Sequence, residues 1–199
     1  MIYWVTHFLT RILSGLFFPC IYIGREHIPK TGSFIFASNH ISNLDPVLIG
    51  ICTSRRISFM GKDTLFKNPV LGFFLRCLET FPIHREGSDI KAIRETLRRI
   101  KRGFPIVIFP EGTRKIKGET RAIHEGIGLI VRKGEVPVVP IFIEDSDKAL
   151  PPGEKFFKRH LVKMYFGKPV TFSPEESYLQ IAERIMREIQ SLPGRYQHR

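Results

Sequence analysis

Ser33-Phe34-Ile35-Phe36-Ala37-Ser38-Asn39-His40-Ile41-Ser42-Asn43-Leu44-Asp45-Pro46, residues 33–46, carries both signals on which the fold turns. Its first five residues are a short apolar run behind the turn-forming stretch Pro29 to Gly32, the pattern of a buried strand. Its last residue is a proline, which suits the first turn of a helix. A helix is therefore expected over Pro46 to Cys52, just after Asp45. Strand, loop and helix in immediate succession form the unit from which layered α/β domains are built.

The rest of the chain extends this alternation. Upstream, Cys20-Ile21-Tyr22-Ile23 runs extended and turns at Gly24 to His27. Downstream, Ile57 to Met60 reads as a strand, Pro69 to Leu78 as an apolar helix and Phe81 to Ile83 as a short strand. Ser88 opens a helix with Ile90, Ile93, Leu97 and Ile100 at helical spacing, and Gly103 stops it. Pro105 to Phe109, Val136 to Ile143 and Leu161 to Phe166 are further strands. The last helix is expected to start at Ser173-Pro174-Glu175-Glu176, with a cap, a proline and acids on the positive dipole end, and to finish near Pro193-Gly194. The expected fold is one α/β domain over residues 20–199, a single mixed β-sheet flanked by helices, behind an N-terminal segment of residues 1–19.

Length and composition agree with that. A chain of 199 residues accommodates one domain with a real core. Hydrophobic residues at 43% and charged residues at 25% argue against wholesale disorder. Thirty-one Lys and Arg against 19 acids leave a net charge of +12, which favours an anionic partner: nucleic acid, an anionic membrane surface or a phosphorylated substrate. Cys20, Cys52 and Cys77 sit in apolar surroundings without paired or metal-like spacing, so neither a disulfide nor a zinc site is expected.

Residues 1–18 are too short and too interrupted to span a bilayer, and they lack the features of a signal peptide. At the helical period, Thr6, His7, Thr10, Arg11 and Ser14 gather on one side. Ile2, Trp4, Val5, Phe8, Leu9, Ile12, Leu13 and Leu16 cover a broad apolar arc, and Pro19 stops the helix. Docking on the domain's own core is the plainer fate of such a helix, but the aromatics Tyr3, Trp4, Phe8, Phe17 and Phe18 and the wide apolar arc make a membrane-surface helix the expectation for residues 1–19.

Chemistry concentrates in two loops. His40 and Asp45 would point roughly 140° apart on a continuous helix. They meet only if His40 lies in the loop and Asp45 at the helix start. Asp45 would then accept a hydrogen bond from one imidazole nitrogen and leave the other as a base; the plainer alternative makes Asp45 a helix cap. No Gly-x-Ser-x-Gly elbow accompanies the pair, so the substrate would supply the hydroxyl. In the second loop, Phe109-Pro110-Glu111-Gly112-Thr113-Arg114, Gly112 permits an anion-binding backbone turn, Thr113 can donate a hydroxyl bond and Arg114 offers a phosphate-matching fork. A solvated Glu111–Arg114 pair closing a turn is the alternative there.

Asn39-His40 through Asp45, then Phe109 through Arg114, then Val136-Pro137-Val138-Val139-Pro140-Ile141, occur in the order seen in glycerolipid acyltransferases. The chain resembles the 1-acyl-sn-glycerol-3-phosphate acyltransferases, which convert lysophosphatidic acid to phosphatidic acid. The family's Lys-x-Glu-Leu-x-x-x-Pro-x-x-Gly stretch stands here as Lys62-Asp63-Thr64-Leu65-Phe66-Lys67-Asn68-Pro69-Val70-Leu71-Gly72, with Thr64 where glutamate is usual. Its Phe-x-Asp-Arg-like run stands as Phe81-Pro82-Ile83-His84-Arg85, with His84 in place of the acid. The resemblance covers roughly residues 20 to 170. It implies that His40 removes a proton from the sn-2 hydroxyl of the acceptor, that Asp45 holds the imidazole, and that the hydroxyl attacks an acyl thioester. Glu111, Gly112, Thr113 and Arg114 would hold the acceptor's phosphate end, with Lys62 and Arg85 adding charge. Glu111, itself an anion, would organise the loop or bind glycerol hydroxyls.

The implied partners are lysophosphatidic acid, acyl-CoA or acyl carrier protein as donor, and an anionic membrane surface. No cofactor, metal or nucleic acid is expected, and the enzyme would be monotopic on the cytoplasmic face. Lys91, Arg94, Arg98, Arg99, Lys101 and Arg102 on the Ser88 helix form a basic face that is expected mostly to be solvated. Lys155, Lys158, Arg159 and His160 beside Phe156 and Phe157 are a second candidate headgroup contact. His7, His27, His124, His160 and His198 show no partner pattern. Glycerol 3-phosphate or another lysophospholipid could replace the acceptor. A non-catalytic basic protein binding membrane or nucleic acid would explain the charge and leave the ordered motifs unexplained. A His/Asp hydrolase of lipid esters conflicts with the missing nucleophile.

Overall fold

A computed structural model describes residues 2–83, 90–112, 125–154 and 156–197. Seven strands form one mixed sheet: β1 (Cys20–Ile23), β2 (Ile35–Ser38), β3 (Ser58–Lys62), β4 (Thr80–Ile83), β5 (Ile106–Ile108), β6 (Val138–Glu144) and β7 (Val162–Phe166). Their order across the sheet is β1-β7-β6-β2-β5-β3-β4. β2 to β6 run parallel with one another, and β6 meets β7 antiparallel, so β1 and β7 point the opposite way. The helices are α1 (Ile2–Phe17), α2 (Asp45–Ile51), α3 (Pro69–Cys77), α4 (Ile90–Lys101), α5 (Gly126–Gly134), α6 (Ser146–Ala149) and α7 (Tyr178–Gln197).

β2 shows why the opening apolar run reads as it does. Alternate side chains of a strand point to opposite faces, and here both faces are covered. Phe34 and Phe36 enter a core with Leu48 and Ile49 of α2, while Ile35 and Ala37 enter one with Ile130 of α5 and Ile185 of α7. Parallel order brings the carboxyl ends of β2, β3, β4, β5 and β6 to one edge of the sheet, where ligands gather in such folds.

Several sequence expectations need correction. The last helix begins at Tyr178, not at Ser173. Ser173 instead closes a local turn, its N–H donating to Glu176 Oε2 at 2.7 Å. The working cap is Ser177, whose Oγ accepts from Gln180 N–H while Gln180 Oε1 accepts from Ser177 N–H, a reciprocal capping box. Nor does the helix stop at Pro193-Gly194: it continues to Gln197 with Pro193 inside. Tyr196 holds this end down by donating its hydroxyl to Phe166 O at 2.8 Å. Helix α5 was not foreseen, because glycines 126, 128 and 134 weaken its helical signal. Gly128 is required by packing, since a Cβ there would lie 2.1 Å from the Tyr178 carbonyl oxygen of α7. The expected helix start at Ser88 lies outside the described residues, and the helix is described from Ile90.

α1 rests on the domain through its polar side and not through its apolar arc. Its polar side, with Thr6, His7, Thr10 and Ser14, faces the domain, where His7 Nε2 lies 2.9 Å from Thr53 O. Buried Tyr3 accepts at its hydroxyl from Ile57 N–H at 3.1 Å. The apolar arc from Ile2 to Phe17 points outward, with Phe8 and Leu16 each 63% exposed. No helix among the described residues is long and apolar enough to cross a membrane.

Candidate active site

The loop after β2 is fastened on the β6 side first. Asn39 extends the sheet with its side chain: Nδ2 donates to Ile143 O at 2.8 Å, and Oδ1 accepts from Ile143 N–H at 2.7 Å. His40 follows at once, buried, and its Nδ1 lies 2.8 Å from Asp45 Oδ2. The meeting of a loop histidine with the first residue of α2 is therefore realised. Asp45 does not act as a helix cap: no side-chain cap bond is made at that terminus. Its carboxylate turns back to the loop, where Oδ2 also accepts from the N–H groups of Ile41 and Ser42 at 2.8 Å each.

The other oxygen is occupied as well. Ser146, fully buried at the start of α6, donates its Oγ–H to Asp45 Oδ1 at 2.5 Å. Four donors on a completely buried carboxylate replace the water it has lost, which makes burial of that anion tolerable. Because Oδ2 already takes two backbone N–H groups and is an acceptor only, the imidazole must donate to it. In the neutral ring Nδ1 therefore carries the proton and Nε2 keeps the free lone pair. Phe109, just beyond β5, stacks on the imidazole with ring centroids 4.1 Å apart and planes 20° apart, fixing the ring's plane. Sequence reasoning missed Ser146 and the stacking role of Phe109. A serine 101 residues away has no local signal; only the adjacency of β6 to β2 brings it in.

The second loop begins as expected. Gly112 N–H donates to Phe109 O at 2.9 Å, and Gly112 has φ 70°, the left-handed region that its lack of a Cβ permits. Glu111 is buried, and the alternative Glu111–Arg114 pair reaches outside the described residues. Thr113, Arg114, Arg85 and His84 lie outside the described residues, as do Lys155, His124 and His198. Lys62, exposed at the end of β3, and Gly112 line the same cavity as His40. That cavity measures about 1000 Å³ and runs from the inner sides of α1 and α2 to Leu75 and Leu78 below α3 and to Ile127 and Ile130 of α5. The structure thus brings His40, Lys62 and Gly112 to one cavity at the carboxyl edge of the sheet, with Asp45 buried behind His40.

The basic face of α4 is not uniformly solvated. Arg99 turns inward, its Nη1 donating to Ser58 Oγ at 2.7 Å and its guanidinium lying 4.8 Å from the Phe81 ring centroid. His27 and His160 have structural partners, Phe166 O at 3.0 Å and Asp145 Oδ2 at 3.2 Å.

A family model described as Acyltransferase matches residues 20–144. The chain is 27% identical over 172 residues to the 1-acyl-sn-glycerol-3-phosphate acyltransferase of Bacillus subtilis (strain 168), covering 86% of this chain and 83% of that one. Identity is also 27% to the 1-acyl-sn-glycerol-3-phosphate acyltransferase BAT2, chloroplastic, of Brassica napus, covering 82% of this chain and half (50%) of that longer one. The crystal structure of the 1-acyl-sn-glycerophosphate (LPA) acyltransferase PlsC from Thermotoga maritima shares the fold with a TM-score of 0.75 at 28% identity, covering 96% of this chain and 79% of that one.

Proposed function

This chain belongs to the acyltransferase family, and on that premise we propose that it moves a fatty acyl group from an acyl thioester to the sn-2 hydroxyl of lysophosphatidic acid, giving phosphatidic acid. One observation carries the mechanism: a buried imidazole with its Nδ1 committed to Asp45 and no serine, threonine or cysteine bonded to its other nitrogen among the described residues. Such a base acts on a hydroxyl that the substrate brings.

His40 Nε2 takes the acceptor's hydroxyl proton as the oxygen attacks the thioester carbonyl. The new C–O bond forms, the C–S bond breaks, and the proton passes from His40 to the departing thiolate of coenzyme A or acyl carrier protein. Asp45 stabilises the transient imidazolium. General base action of this kind contributes about 10² to 10⁴ in rate, and holding two substrates together supplies much of the rest. Lys62 and the Gly112 turn receive the acceptor's phosphate end, with Arg85, Thr113 and Arg114 assigned there by motif order alone. Glu111, buried within its loop, organises the turn or meets glycerol hydroxyls.

The enzyme works at a membrane surface, held by the outward apolar arc of α1 and aided by its positive charge. The test crosses acyl-CoA and acyl carrier protein donors with lysophosphatidic acid and glycerol 3-phosphate in one assay. Lysophosphatidic acid should be the acceptor turned over, and His40→Ala should abolish turnover in a protein of unchanged circular dichroism. Wild-type turnover by His40→Ala would rule the mechanism out.

A further inference from the structure

Gly72 is the buried residue of α3, and its large apolar side chains face out. Val70 is 77% exposed and Phe73 62%, with Leu71 and Phe74 exposed beside them. A nine-residue helix does not hold its shape in water through propensity. Two local devices hold this one. Asn68 Oδ1 accepts from the N–H groups of Val70 and Leu71 at 3.0 Å each, and Gly72 sits so close to the preceding turn that a Cβ would lie 3.0 Å from Phe66 O. Its cap and its glycine fasten the helix, while Val70, Leu71, Phe73 and Phe74 stay exposed.

What this helix borders decides its use. Leu75 and Leu78, on its inner side, line the cavity that His40 lines, and Thr6, His7 and Thr10 of α1 line the same cavity. Both helices flank that cavity while turning apolar side chains away from the protein. Between Lys62 and Leu78 three exposed cations, Lys62, Lys67 and Arg76, outnumber the one acid, Asp63. Arg76 lies over the Phe66 ring at 5.2 Å. Apolar side chains ringed by cations match an anionic lipid surface, whereas two copies meeting through this face would oppose like charges.

We propose that α3 is a second membrane-inserting element: Val70 and Phe73 enter the leaflet that receives α1, and the cavity opens between the two helices. A lipid acceptor then passes from the leaflet to His40 without leaving an apolar environment. The proposal rests on the membrane-surface reading above and extends it, since that reading gives the contact to α1.

Trp4 is the only tryptophan, so its replacement leaves a silent background. In full-length protein carrying Trp4→Phe and Phe73→Trp, vesicles of phosphatidylcholine and phosphatidylglycerol brominated in mid-chain should quench emission at least about twofold. Protein that co-sediments with these vesicles but shows unchanged emission overturns the proposal and leaves α1 as the anchor. Failure to co-sediment at all removes the membrane reading and the proposal with it. Independently, Val70→Asp with Phe73→Asp should weaken vesicle partitioning roughly tenfold. Turnover of an acceptor embedded in vesicles should fall with it, and turnover of a short-chain, water-soluble acceptor should not, because neither side chain lines the cavity. Unchanged partitioning overturns the proposal, as does a wild-type dimer that the double variant splits into monomers. Quenching in a protein that turns over neither acceptor still supports α3 docking and counts against the reaction instead.

Discussion

Replacing Asp45 with asparagine separates geometry from charge. Oδ2 accepts from three N–H groups, those of the His40 ring, Ile41 and Ser42, and Oδ1 accepts from one hydroxyl, that of Ser146. An asparagine must present one oxygen and one NH₂ group. With its oxygen at the Oδ2 position all three donors stay satisfied, and its NH₂ group donates to Ser146 Oγ, whose hydroxyl can rotate to offer a lone pair. The flipped amide would set NH₂ against three donors and forfeit three bonds of about 0.5–1.5 kcal/mol each. The productive orientation is thus favoured by roughly 2–4 kcal/mol. The fold survives, Nδ1 keeps its proton, and only the negative charge beside the imidazolium of the transition state is lost. Charge-assisted bonds are about twice as strong as neutral ones, and general base action spans about 10² to 10⁴. Asp45→Asn should therefore lower kcat by about 10² to 10³, with KM within about twofold, in initial-rate assays on acceptor dispersions. Its thermal midpoint should stay within a few degrees of wild type. An asparagine variant with wild-type kcat would mean that no positive charge builds on His40, and the base assignment would fall. Asp45→Ala cannot make this test, because it strands three N–H donors and the Ser146 hydroxyl at about 1–3 kcal/mol each, and unfolding would obscure the rate.

Ser146→Ala removes one donor from Asp45 and strands no N–H, so it should cost about 1–2 kcal/mol in urea titration and about tenfold in kcat. Gly128→Ala forces α5 off α7, where the added carbon would sit 2.1 Å from Tyr178 O, and should lower stability by about 1–3 kcal/mol or more in the same titration. Complete burial pushes the Cys52 thiol up to about 12. About one part in 10⁴ is then thiolate at pH 8, and mass spectrometry of maleimide-treated native protein should find Cys52 unmodified until urea is added.

The parts of the fold that could be read in advance are those in which one short stretch carries its own physics. Phe34 to Ala37 is apolar on both alternating faces because both faces are covered, so a continuous run betrays a central strand. Pro46 fixes the start of α2 within a residue. The parts that could not be read depend on partners remote in sequence. Helix α5, with glycines at 126, 128 and 134, is held by the helices beside it, which local propensity does not see. Ser173-Pro174-Glu175-Glu176 has the composition of a helix start, yet the better box, Ser177 with Gln180, wins four residues later. The site divides the same way. His40 and Asp45 are five residues apart and visible together, while Asn39 to Ile143 and Asp45 to Ser146 are bonds of the sheet's topology, which sets β6 beside β2.

That topology also explains how the His40 loop holds a buried anion steady. Asp45 opens α2 behind the loop that follows β2, and an isolated buried carboxylate there would draw water or a proton. Two of its donors, Ile41 and Ser42, come from the loop it must shape, so the loop and the carboxylate define each other. The third is the His40 ring. The fourth, Ser146, comes from the start of α6 just past the end of β6, and Asn39 ties that strand to β2 one residue before His40. Any movement of β6 away from β2 would therefore loosen both ends of the His40 loop together. On the open side α1 completes the enclosure with its polar face: Thr6, His7 and Thr10 line the cavity while the apolar arc looks outward. A helix docked only for stability would bury its apolar side. This one turns polar groups towards His40 and apolar ones away, the arrangement that the proposed reaction at a lipid surface would require.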